Sequence, residues 1–269
     1  QSTAHRDTDV LMDDLLATVN NPSLRRLDFG VFTLHAILSA GFLLIPNIIA
    51  SVGLAPEDHW QIYVPALVGA LIIMALGTTI GESQRRMKEV ICSAIAILAL
   101  CMIGLRLIPS SQWTLTSIML CFFGVFSLLE ACLPSLVSKI APSSTKGTAM
   151  GIYSTAQFLG IFVGGSLGGQ LLAHYGAKGI LIACLSLVFL WLIAALSMAQ
   201  PEYLSLQMLN VGIHNARQAS KLTHHIASQE GVFEVEVRED DGIAYLKIDS
   251  KITSLVAIAT SIEAWQAQQ

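Results

Sequence analysis

Charge is what this sequence has least of. Only 13% of its 269 residues are Asp, Glu, Lys or Arg, against roughly 25% in a soluble globular domain, while 54% are hydrophobic. That deficit excludes an ordinary water-soluble enzyme over most of the length and points to a membrane protein. The formal net charge of -4 is small and dispersed, so nothing marks a nucleic-acid partner. There is no CxxC pair. The five cysteines, Cys92, Cys101, Cys121, Cys132 and Cys184, all sit inside apolar stretches and read as small buried hydrophobes, not as a disulfide framework or a metal site. No phosphate-binding loop, nucleophile–base pair or metal-ligand spacing occurs either, and neither an enzyme nor a cofactor is expected. No cleavable signal pattern precedes the first apolar stretch. The sequence opens on Gln1, and further chain is expected before it.

Long apolar runs are what it does have. A helix needs roughly 20 apolar residues to cross ~30 Å of hydrocarbon, and six segments qualify: 28–51, 60–80, 88–108, 112–140, 147–174 and 178–199. Turn and charge signals separate them, among them "GLAPEDHW", "GESQRRMKEV", "APSSTKG" and "HYGAKG". With a cytoplasmic N-terminus, the inside connections hold Arg25, Arg26, Arg85, Arg86, Lys88, Lys139 and Lys146. The outside ones hold Arg106 and Lys178. This positive-inside bias predicts a multi-pass protein of the lipid bilayer with both termini in the cytoplasm. Residues 1–27 then form a cytoplasmic linker with an amphipathic helix over 7–20, carrying Leu11, Leu15, Leu16 and Val19 on one side. Its four aspartates argue that this side rests on protein rather than on anionic lipid.

After the bundle at 28–200, residues 201–269 change character. A strand at "LSLQMLNV" leads to a helix around 215–229 with Ala219, Leu222 and Ile226 on one face. Next comes a hairpin, Gly231 to Ser250, with Phe233, Val235 and Val237 on one face and Ala244, Leu246 and Ile248 on the facing strand. A final helix at 251–265 puts Ile252, Leu255, Val256, Ala259 and Ile262 in phase. The order βαββα predicts a small α+β ferredoxin-like domain without its last strand.

Glu130, in "CFFGVFSLLEACLPSL", is the most informative intramembrane residue. A carboxylate near mid-bilayer costs at least about 2.5 kcal/mol, so the group is expected to face the bundle interior as a proton or cationic-substrate site, or as a structural partner. Pro134, four residues on, frees a backbone carbonyl beside it. His35, one turn from Ser39, then Asn47, and Gln157 with its neighbours Ser154 and Thr155, are further polar groups for a cavity. Gly160, Gly164 and Gly168 recur every four residues, a ridge that lets two helix backbones approach closely.

These residues resemble the major facilitator superfamily, in which six crossings make one half of a twelve-helix transporter. "GESQRRMKEV" is similar to the second copy of that superfamily's loop motif: Gly81 and Arg86 match, while Arg85 stands at the Asp position and Lys88 at the second Gly position. "LLEACLPSLVSKIAP" and "GTAMGIYSTAQFLGIFVGGSLGG" look like the tenth and eleventh helices of the YajR-type subgroup, which carries a small cytoplasmic ferredoxin-like domain at its end. That fold also occurs in heavy-metal-binding domains, whose paired loop cysteines are absent here; the loop "NVGIHNARQ" offers His214 alone. The resemblance implies the C-terminal half of a proton-coupled exporter of small amphipathic compounds in a bacterial inner membrane. Such a protein works by alternating access with an N-terminal six-helix half, and its last domain serves in regulatory docking. A membrane-anchored sensor that does not transport, and a half-transporter that dimerises, are the alternatives.

Overall fold

The computed structural model describes residues 12–107, 111–142, 145–199, 205–213, 215–238, 240–249 and 252–266. Leu11 and His214 lie outside them. The chain divides into two compact units, Gln1–Pro201 and Glu202–Gln269.

The first unit is helical: α1 (Met12–Asn20), α2 (Pro22–Phe42), α3 (Ile45–Ser51), α4 (Trp60–Ser83), α5 (Met87–Leu107), α6 (Gln112–Ile140) and α7 (Lys146–Leu196). α2 starts at Pro22, earlier than the apolar run implies. The Asn21 side chain caps it, accepting from the Ser23 and Leu24 amides at 2.9 and 3.3 Å, and Pro22 loses no helical hydrogen bond at the first position. The single span expected over 28–51 is in fact two helices bent by 42°. Pro46, in the first turn of α3, has no N–H for the Phe42 carbonyl and its ring crowds that turn.

α7 corrects the reading in the opposite sense. Its 51 residues would run for about 77 Å as one rod, more than twice the hydrocarbon thickness. It is broken at Gly176, φ 63° and ψ −163°, a backbone region open essentially to glycine alone. One residue thus does the work of the loop expected at "HYGAKG", and α7 supplies two crossings as a first and a second limb. α1 packs on α2 and α7, but with a different side from the one expected. Thr18 is buried and Leu15 partly so, whereas Leu16 and Val19 are 51% and 41% exposed.

Two helix pairs carry the packing of this unit. Along the first limb of α7, a Cβ placed on Gly160 would stand 2.3 Å from the Phe32 carbonyl oxygen, and one on Gly164 2.3 Å from that of Ala36. Gly168 continues the row against Ala40. Both helices advance by four residues per contact, so they run parallel with backbones touching. α4 and α6 interlock at the same step through alternating knobs and gaps: Leu120 fills the space at Gly69, Ile73 the space at Gly124, and Leu128 the space at Gly77.

The second unit comprises β1 (Ser205–Asn210), α8 (Ala216–Ala227), β2 (Val232–Arg238), β3 (Ile243–Ile248) and α9 (Leu255–Gln266). The sheet order is β1-β3-β2 with both neighbours antiparallel, the arrangement of a split βαβ unit. Leu222 and Ile226 of α8, Ile258 and Ile262 of α9, and Ala244, Leu246 and Ile248 of β3 form its core. The hairpin face differs from expectation at one residue. Val232 pairs with Ile248 and Glu234 with Lys247, so Phe233 is the extra residue of a bulge. The bulge flips the phase, bringing Val232, Val235 and Val237 to the core and leaving Phe233 54% exposed. α9 also starts later than predicted, behind Ser254, whose Oγ accepts the Ala257 amide at 3.2 Å. Its inward stripe is therefore Leu255, Ile258, Ile262 and Trp265, while Ile252 and Val256 are 53% and 75% exposed.

Two stability predictions follow from these contacts. Gly164→Ala should destabilise the protein by roughly 1–3 kcal/mol, because the opposing atom is backbone and cannot step aside. Gly165→Ala, with nothing within 4 Å, should leave detergent thermal unfolding unchanged or slightly improved. In the C-terminal unit, Leu246→Ala should cost about 2–5 kcal/mol and Phe233→Ala within about 0.5 kcal/mol, as read by urea unfolding. Equal losses would contradict the bulge.

Candidate functional site

The polar residues that lipid makes expensive converge from three helices. His35 on α2 is 5% exposed, and its Nδ1 lies 3.0 Å from the Val31 carbonyl oxygen one turn back. A carbonyl only accepts, so Nδ1 carries the proton and Nε2 of a neutral His35 is left as an acceptor. The Gln157 side-chain amide, on the first limb of α7, supplies the donor, and its second hydrogen reaches Glu130. Its Nε2 lies 2.9 Å from His35 Nε2 and donates to Glu130 Oε1 on α6 at 3.2 Å. Phe126, one turn before Glu130, sets its ring edge against the imidazole with centroids 5.7 Å apart.

Glu130 closes the triangle. Its Oε2 is 3.5 Å from His35 Nε2, too far for a good hydrogen bond, and that oxygen is buried without a partner. The Glu130 side chain as a whole is 37% exposed, so the cluster is not sealed on every side. Pro134 lies inside α6 and has no amide hydrogen for the Glu130 carbonyl, which leaves that backbone oxygen without its helical donor. The arrangement brings a carboxyl group, an imidazole and an amide within reach of one another, and the Gln157 side chain offers both donors and an acceptor to its two neighbours.

One turn before Gln157 and on its face, Tyr153 is 3% exposed and its hydroxyl is buried with no hydrogen-bond partner. Such a group costs roughly 1–3 kcal/mol. Sequence reading passed over Tyr153, although its i, i+4 spacing from Gln157 beside the glycine ridge was a usable signal. Asn47 does not join the cluster. It sits exposed on α3 beside a separate cavity of about 380 Å³, lined also by Ser51, Arg106, Phe122, Leu172 and Ile180. Thr155 is exposed and hydrogen-bonds back to its own helix at Gly151.

The loop after α4 is a helix cap. The Arg86 amide donates to the Gly81 carbonyl at 3.0 Å and the Arg85 amide to Glu82 at 3.3 Å, the two bonds of a Schellman motif. Arg85 takes the left-handed position, φ 55°, that glycine usually fills. Gly81 is the point where Met87 folds back, its sulfur 3.0 Å from where a Cβ would stand. The Arg86 side chain pairs with Glu89 within α5, and Lys88 is half-buried. The link across helices is made instead by Glu82 of α4 and Lys139 of α6, which form an ion pair. Among the described residues no cluster of His, Cys, Asp and Glu could hold a metal ion.

Residues 23–209 match the Major Facilitator Superfamily, and residues 214–264 match the YajR YAM domain. The chain is 33% identical over 263 residues to the inner membrane transport protein YajR of Escherichia coli (strain K12), covering 96% of this chain and 57% of that protein. It is 30% identical over 150 residues to an uncharacterized transporter of Buchnera aphidicola subsp. Acyrthosiphon pisum, covering 56% of this chain and 38% of the relative. A second, of Buchnera aphidicola subsp. Schizaphis graminum, is 32% identical over 169 residues, covering 62% and 43%. The chain thus spans about half the length of the curated relatives it matches.

The hydrogen bond from His35 to Val31 makes a spectroscopic prediction. Whenever His35 is neutral, ¹⁵N NMR of the labelled protein should show the proton on Nδ1 and an unprotonated Nε2. The opposite tautomer would mean that Gln157 does not donate to the ring.

Proposed function

Since the chain belongs to the major facilitator superfamily and carries the YajR YAM domain at its end, we propose that it forms the C-terminal half of a proton-coupled exporter of small amphipathic compounds in a bacterial inner membrane. The contact that carries this reading is the His35–Gln157–Glu130 cluster. A carboxyl group, an imidazole and an amide meet where three helices from distant parts of the chain converge, and one carboxylate oxygen is left unpaired. Gain or loss of a proton there changes which of the three helices are held together. That is how proton binding biases one arrangement of an alternating-access transporter over the other. Its relatives are named as transport proteins.

An N-terminal six-helix half completes the substrate cavity in this proposal, with both termini of the present chain cytoplasmic. The α+β unit acts as a regulatory module. Its compact apolar core is built from its own residues, which suits a part that tunes transport without taking part in it.

In the full-length protein reconstituted into liposomes, Glu130→Gln should reduce efflux of amphipathic dyes driven by a pH gradient by about 100-fold or more, while protein level and thermal unfolding change little. A loss of transport no greater than the loss of folded protein would make Glu130 a structural residue. Deleting residues 202–269 should leave the helical unit folded by circular dichroism and alter the transport rate. An unchanged rate under all salt and pH conditions would remove the regulatory role.

A further inference from the structure

Asp28 and Tyr153 are not needed to hold the His35–Gln157–Glu130 cluster, yet they lie between it and the end of the bundle where α2 and α7 begin and α6 ends. Taking a rise of 1.5 Å per residue, Asp28 is about 9 Å and Tyr153 about 10 Å from those helix ends, whereas Glu130 and Gln157 are about 15 and 16 Å away and His35 about 20 Å. The titratable groups are thus layered. The Tyr153 hydroxyl is buried and hydrogen-bonded to nothing, and Asp28, one turn before the Phe32 carbonyl that meets Gly160, lies on the face of α2 turned to the same limb of α7. Asp28 is half-buried. Among the described residues the titratable groups converging here are Asp28 and His35 from α2 and Glu130 from α6. α7 contributes the amide of Gln157 and the phenol of Tyr153.

We propose that Tyr153 and Asp28 form the relay through which Glu130 exchanges protons with the cytoplasmic side. This rests on the proton-coupled reading above and assigns its path. In the transfer, protonated Glu130 gives its proton to the Tyr153 oxygen as the Tyr153 hydroxyl hydrogen passes to the Asp28 carboxylate. The phenol is regenerated unchanged, Glu130 becomes a carboxylate, and Asp28 becomes a carboxylic acid that releases its proton to water. In the present structure the hydroxyl touches neither carboxyl group, so the relay is open. In this relay a relative shift of α2, α6 and α7 closes it. A path of this kind, gated by helix position, keeps the proton from leaking while the bundle is in the other state.

The test needs no substrate. The full-length protein in lipid nanodiscs is subjected to a pH jump, and the infrared carboxylic-acid band of Glu130, assigned by its loss in Glu130→Gln, is followed in time. Tyr153→Phe keeps the ring and its packing and removes only the hydroxyl, so thermal unfolding should not be lowered. The same variant, and Asp28→Asn, should each slow the appearance of the Glu130 band by about tenfold or more, with the final amplitude retained. A rate indifferent to both substitutions overturns the relay. A wild-type protein in which no Glu130 band titrates at any pH overturns the proton-coupled reading itself, and the relay with it. That outcome is distinguishable because it is seen without any variant.

Discussion

The helical unit depends on how closely α2 and the first limb of α7 approach. In lipid the helices gain nothing by hiding apolar surface from water, so contact must come from van der Waals packing and hydrogen bonds. At Gly160 and Gly164 the space where a Cβ would stand is occupied by the Phe32 and Ala36 backbone, and only glycine permits that. The register this contact imposes, Gly160 on Phe32, Gly164 on Ala36 and Gly168 on Ala40, also carries Gln157 to 2.9 Å from His35. The polar cluster is therefore a product of the ridge. Spread the two helices by the width of a methyl group and the amide loses the imidazole, leaving the buried Nε2 of His35 without its donor.

Satisfaction of that cluster is uneven, and the unevenness is its chemistry. His35 is held at both nitrogens, by Val31 and Gln157. Glu130 is held at one oxygen and free at the other. In a low-dielectric interior a network of this kind is costlier than a complete one, and it persists because the helices fix it from three sides. A group whose second oxygen is committed to no donor can change protonation without first breaking a bond. The unpartnered hydroxyl of Tyr153 lies one turn away from Gln157 on the same helix face.

The second unit obeys water's rules instead. Its core is assembled from aliphatic side chains at 0–6% exposure, its helices cover one sheet face, and a single bulge repairs the phase between β2 and β3. Glycine shapes the helical unit in two different ways. In the bundle it removes a side chain so that backbones or knobs fit. At Gly176 it supplies a backbone conformation that turns one continuous helix into two crossings.

What the amino-acid sequence determined by itself is what composition and spacing control: a membrane protein, the number of apolar crossings, the glycine ridge, the βαββα order of the last domain, and Glu130 as the residue that lipid penalises most. Those are local properties, legible because the hydrocarbon sets a length and a polarity that every segment must meet. Tertiary structure decided the rest. It selected His35 and Gln157, 122 positions apart, as Glu130's partners and left Asn47 aside, because α3 bends away at Pro46. It split the first span, joined the last two around Gly176, moved Phe233 out of the core through a bulge that period-two alternation does not encode, and delayed α9 until Ser254 could cap it. Each of these depends on which surfaces meet, and a pattern read along one segment carries no information about the helix or strand that will stand opposite.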